Sequence, residues 1–126
     1  MIENLEEPAT INNDKPKVKI DPRILKARGG DPNDPDEKRR PTDPVGLSRS
    51  ILHVLKDHEY VRVLSVGPTA LSSVMTAFRL ASRDIESLTN GSVLVCRQSE
   101  YSADINGKKT KGISTRIFAI DIKFAL

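Results

Sequence analysis

The sequence predicts an α+β fold in which two helices lie on one face of a small mixed sheet. Three observations lead there. Apolar stripes with helical spacing run from Leu47 to Leu55 and from Leu71 to Leu88. Runs rich in β-branched residues stand before, between and after those stripes. An Asn-Gly pair sits where the last two strands must turn. Read in chain order these give (β)αβαββ, a two-layer arrangement with a long terminal hairpin.

The first helix opens at Thr42-Asp43-Pro44-Val45, where a polar N-cap precedes a proline in the first turn. Leu47, Ile51, Val54 and Leu55 form its apolar stripe, and Ser48, Arg49 and Ser50 lie off it. Tyr60 to Val66 reads as a strand closed by Gly67-Pro68. Pro68 then suits the first position of a second helix. Leu71, Val74, Phe78, Ala81, Ile85 and Leu88 recur along that helix at spacings of three and four, and Asn90-Gly91 supplies the stop. So regular a stripe is expected to be buried, as core or as a dimer surface, at ~1.5–3 kcal/mol for each large side chain. Ser92 to Arg97 reads as a strand without alternation, which predicts burial on both faces. In the final strand, Thr115 to Leu126, Phe118, Ile120, Ile122, Phe124 and Leu126 share the expected apolar face, opposite Asp121 and Lys123. The intervening residues carry Ile105-Asn106-Gly107-Lys108, a tight hairpin turn.

The chain's 126 residues suit one domain. Seven of the eight prolines fall within the first 44 residues. Residues 1–41 therefore read as a flexible, proline- and charge-rich arm, with too little apolar surface to offset the entropy of ordering. Within it Val18-Lys19-Ile20 alternates, and residues 24–28 offer a possible first strand. Residues 42–126 form the predicted domain and carry eleven Lys/Arg against eight Asp/Glu, the whole +3 net charge. That excess permits a polyanion partner without demanding one.

Cys96 is the one cysteine, so neither a disulfide framework nor a thiolate metal site is expected. The first residues have neither a charged leader nor an apolar stretch, and nothing approaches the ~20 apolar residues of a membrane span. A cytoplasmic location is expected, with no membrane contact. His53 and His58 are five apart and do not share a helical face as two metal ligands would. No nucleophile–base pair or paired-carboxylate arrangement can be assembled, so no enzyme and no cofactor is expected.

Val66-Gly67-Pro68-Thr69-Ala70-Leu71-Ser72-Ser73-Val74, continuing to Ala77 and Ala81, resembles the strand-to-helix core of the stage V sporulation protein S family. Asp43-Pro44-Val45-Gly46 to Leu55 resembles that family's first helix and its entry. The resemblance covers roughly residues 42–126, or from Ile24 if the first strand is counted. It implies an Alba-like fold of the same element order, and with it a homodimer or higher homo-oligomer that binds DNA or RNA. Two features depart from the pattern. The chain adds an arm, and Thr42-Asp43-Pro44 stands where the Alba family places a lysine at the helix entry.

Candidate contacts follow from charge and this resemblance together. Lys108, Lys109 and Lys111 cluster at the hairpin tip, with Arg116 starting the final strand and Tyr101 available to stack on a base. The other reading of the tip is a solvated turn. Arg39 and Arg40 in the arm, and Arg79 and Arg83 at i and i+4 on the second helix, form two further sets. Acidic neighbours Asp34, Asp36 and Glu37 weaken the local field of the first set, and the alternative for the second is surface pairing with Asp84 and Glu86. Gly67-Pro68-Thr69 is either an ordinary cap or a backbone phosphate site. The expected function is largely sequence-independent nucleic-acid binding, and the rival is a regulatory protein-interaction module whose arm folds onto a partner.

Overall fold

The computed structural model of the chain describes residues 20–89 and 91–121. The element order is β1 (Ile24–Ala27), α1 (Pro44–Asp57), β2 (Val61–Ser65), α2 (Pro68–Leu88), β3 (Ser92–Ile105) and β4 (Lys108–Asp121), with a short 3-10 turn at Glu37–Arg39. The strands form one sheet in the order β1-β2-β4-β3, parallel between β1 and β2 and antiparallel elsewhere. Both helices pack on one face, giving the expected α+β architecture. Of the residues read earlier, Val18, Lys19, Asn90, Ile122, Lys123, Phe124 and Leu126, and the Leu88 side chain, lie outside the described residues.

The residues read as an arm contain β1 and a loop closed on itself. Arg28 and Thr42 bind each other twice across that loop, Arg28 N–H to Thr42 Oγ1 at 2.6 Å and Thr42 N–H to the Arg28 carbonyl at 2.9 Å. Aspartates supply its turns, with Asp31, Asp34 and Asp36 accepting from the backbone N–H two residues on. The closure delivers the chain to α1, whose N-cap is Asp43 and whose first residue is Pro44.

The core lies between the helices and the sheet, around Ile51, Val61, Val63, Val74 and Ile117, all fully buried. On α2 the buried line is Ala70, Val74, Ala77 and Ala81. The expected stripe is therefore rotated, and Leu71, Phe78 and Ile85 are only half-buried along its flank. The cause is size. Small alanines let the helix axis approach α1 and the sheet closely, and the larger residues then close the sides of the contact.

Two strand expectations are corrected in the same way. β3 is an edge strand covered on one face only, so Leu94 is buried while Val93 and Val95, on the open face, are half-exposed; Cys96, on the covered face of this edge strand, is half-exposed as well. Partial burial pushes the Cys96 thiol pKa up, which disfavours the reactive thiolate. On β4 the core face is Thr115 and Ile117; Phe118 and Ile120 point to the open side, paired across with Val95 and Val93.

The hairpin turns at Asn106 and Gly107, whose φ values of 54° and 78° are the left-handed pair that a two-residue turn of this kind requires. β3 and β4 pair without a break from Ser92↔Asp121 to Ile105↔Lys108. Gly112 is needed for a different reason. A Cβ there would stand 2.6 Å from the Tyr101 ring and 2.8 Å from the Ser65 carbonyl oxygen. Tyr101 faces Gly112 directly in the register and lies over it. Gly112→Ala is accordingly expected to destabilise the fold by about 1–3 kcal/mol in urea titration. Gly46→Ala, inside α1 with only an ordinary 3.6 Å contact to Asp43 Oδ2, should be neutral or stabilising by about 0.4–1 kcal/mol in the same assay.

Candidate nucleic-acid interface

Directly opposed residues of paired strands share a face of the sheet, so the register decides which side chains meet. Arg62 of β2 stands opposite Arg116 of β4, and Arg116 stands opposite Arg97 of β3. Three arginines thus cross three neighbouring strands in one row, on the face away from the helices. Strand spacing of ~4.8 Å makes the row ~10 Å wide at the backbone. The arginines and the hydroxyls of Ser99 and Ser114 line a cavity of about 380 Å³. Arg62 Nε donates to Ser114 Oγ at 3.1 Å.

None of the three arginines forms an ion pair with a carboxylate among the described residues. The strands show why. On their open face stand Lys26, Arg62, Arg97, Lys108 and Arg116, while the strand carboxylates Glu100, Asp104 and Asp121 all fall on the other face. Like charges directly opposed across strands repel one another. Such a row is favourable where an anion bridges it.

Tyr60 braces the middle of the row. Its ring carries the Arg116 guanidinium at 4.5 Å and the Arg23 guanidinium at 5.1 Å. Arg23 is itself held by Asp21 through Nε and Nη2, both at 3.0 Å. That bidentate hydrogen bond, with the Arg23 backbone N–H also donating, lowers the Asp21 carboxyl from 3.8 to about 2.

The structure separates the residues read from sequence. Lys108 shares the open face with Arg116 and Tyr101. Lys109 and Lys111 project from the opposite face, Lys109 across from Asp104 and Lys111 Nζ at 3.8 Å from Glu100 Oε1. Arg79 and Arg83 are exposed on α2, two residues on from buried Ala77 and Ala81 and so on the far side of the helix from the sheet. Arg39 and Arg40 belong to the closed loop. Arg40 Nε donates to the Asp34 carbonyl at 2.7 Å, and the two side chains approach Asp36 and Glu37 at 3.8 and 3.9 Å. Gly67, with a φ of 89°, is the N-cap of α2 and makes no side-chain cap hydrogen bond. Among the described residues no group of His, Cys, Asp and Glu side chains could hold a metal ion, and no helix is long and apolar enough to cross a membrane.

Arg62 and Arg97 were not singled out in the sequence. The signal lay in alternation, because Tyr60-Val61-Arg62-Val63-Leu64 puts its valines on one face and its arginine on the other. That Arg97 and Arg116 join it depends on strand order, which local pattern does not reveal.

No family model matches the chain, and no curated protein matches it as a relative.

Asp21 gives the surroundings of Tyr60 a pH dependence. A folded-state carboxyl held below its unfolded value contributes stability above about pH 4 and loses it as pH falls toward 2. The difference in thermal midpoint between the wild-type chain and Asp21→Asn should therefore be constant from neutral pH to about 5 and shrink toward zero near pH 2.

Proposed function

We propose that this chain is a nucleic-acid-binding module of the Alba-like kind, holding DNA or RNA mainly through the phosphate backbone. The arginine row Arg62–Arg116–Arg97, unpaired among the described residues on a face free of strand carboxylates, carries this reading. Lys26 and Lys108 extend the same positive face. Guanidinium groups suit phosphate because their planar fork of donors meets two oxygens at once. Nothing in the row distinguishes one base from another, so the affinity is sequence-independent. The resemblance to the stage V sporulation protein S and Alba families supports the reading, since it implies this element order and a long basic hairpin.

The module acts as a binder in the cytoplasm rather than as an enzyme, and it works as a homodimer. The strip formed by Val93, Val95, Phe118 and Ile120, half-buried at the end of the open face, is the surface left for a second copy.

Fluorescence anisotropy on single- and double-stranded DNA and RNA at two salt concentrations tests the reading. Affinity should fall steeply with salt, and each arginine changed to glutamine should lower the logarithmic slope by roughly 1. Arg62→Gln, Arg97→Gln and Arg116→Gln together should flatten it far more than Lys109→Gln with Lys111→Gln. Absence of binding to every probe at low salt, or an unchanged slope in a folded triple variant, overturns the proposal.

A further inference from the structure

We infer that the open face takes single-stranded rather than duplex nucleic acid, with a phosphate on the arginine row and an unpaired base in the cavity beside it. This rests on the nucleic-acid reading above and names its substrate class.

β1 and β3 are the two outer strands of the sheet, separated by β2 and β4. They nevertheless line one cavity of about 460 Å³, bounded by Lys26 to Gly29 on one side and Tyr101 to Ile105 on the other. The open face is therefore a trough at this end, where the hairpin runs on past the last residue of β2. Leu64 and Val66 also line that cavity.

The two cavities adjoin along the strands. The arginine cavity reaches Ser99, and the apolar one begins at Tyr101, two residues further along β3 on the same face, roughly 6.6 Å away. The row itself crosses β3 at Arg97, roughly 13 Å from Tyr101 at the backbone, so an arginine side chain reaching toward Ser99 and one nucleotide together span the gap. The apolar cavity offers what an unpaired base needs. The Tyr101 ring lies over Gly112, and aliphatic side chains stand around it; Asp104 also lines the cavity, and against that one carboxylate Lys26 and Arg28 lie at its edge for the next phosphate. A duplex keeps its base faces within the stack and cannot insert one here without flipping it out.

Three fluorescein-labelled probes of equal length decide the matter against the full chain: a single-stranded oligodeoxynucleotide, its duplex, and a strand of abasic units with the same phosphate charge. The single strand should bind about tenfold or more tighter than either of the others, since stacking of one base on an aromatic ring is worth ~1–3 kcal/mol. Ala103→Leu, which narrows the apolar cavity without altering charge, should bring the single strand down to the abasic level. It should leave the abasic affinity and the salt slope unchanged. If the abasic strand or the duplex binds as tightly as the single strand, the inference is overturned while the nucleic-acid reading stands. If no probe binds, that reading fails with it. The comparison of the three probes decides the question even where Ala103→Leu fails to fold.

Discussion

The pairing of β4 with both of its neighbours is the constraint on which the rest of this molecule depends. β4 sets Ile117 beside Val61 and Cys96 on the helix side, and in the next position sets Arg116 between Arg62 and Arg97 on the open side. The two results are inseparable. Sliding β4 by one residue would turn Ile117 to solvent and drive a guanidinium into the core, so the apolar contacts that stabilise the domain also enforce the arginine row. Core packing thus provides the free energy that holds three like charges side by side.

Residues around the row moderate that repulsion without removing its attraction for anions. Ser114 accepts from Arg62, and the Tyr60 ring faces Arg116 with its negative π surface. Neither neutralises a charge. Asp21 pairs with Arg23 near the row and thereby settles Tyr60 between two guanidiniums. The carboxylates that might have quenched the row stand on the other face, where Glu100 meets Lys111. Segregation of this kind leaves the hairpin lysines divided between a solvated ion pair and the open face. Such exposed pairs contribute little to stability.

Much of the fold was legible because its signals are local. The Asp43-Pro44 start of α1, the Gly67-Pro68 break, the Asn106-Gly107 turn and the extended Ile24–Ala27 each follow from backbone preferences of a few residues. What the sequence misled on was which face is buried. The expected stripe holds at Val74 and Ala81, yet Leu71, Phe78 and Ile85 only flank the core and Ala70 and Ala77 complete its buried line, since closeness of approach counts for more there than side-chain size. Phe118 and Ile120 mislead for a related reason, as β4 is apolar on both sides near its end. The candidate site was legible only at Arg116, Lys108 and Tyr101. Arg62 and Arg97 are each a lone basic residue in a β-branched run, and they become a site only through the order β2-β4-β3.

The length of the hairpin completes the argument. Had β3 ended at Arg97, as its apolar run predicts, the arginine row would lie at the end of a flat sheet. Instead β3 continues to Ile105, and β4 returns from Lys108 beyond the reach of β2. A two-stranded extension of that length twists strongly, because nothing flattens it from the side. Gly112 permits that twist to close over β2, since any side chain there would meet the Ser65 carbonyl and the Tyr101 ring. The same residue that admits the curl thus seats the aromatic ring on the open face, four residues along β3 from Arg97. Trough, ring and row arise from one hairpin running past its neighbour.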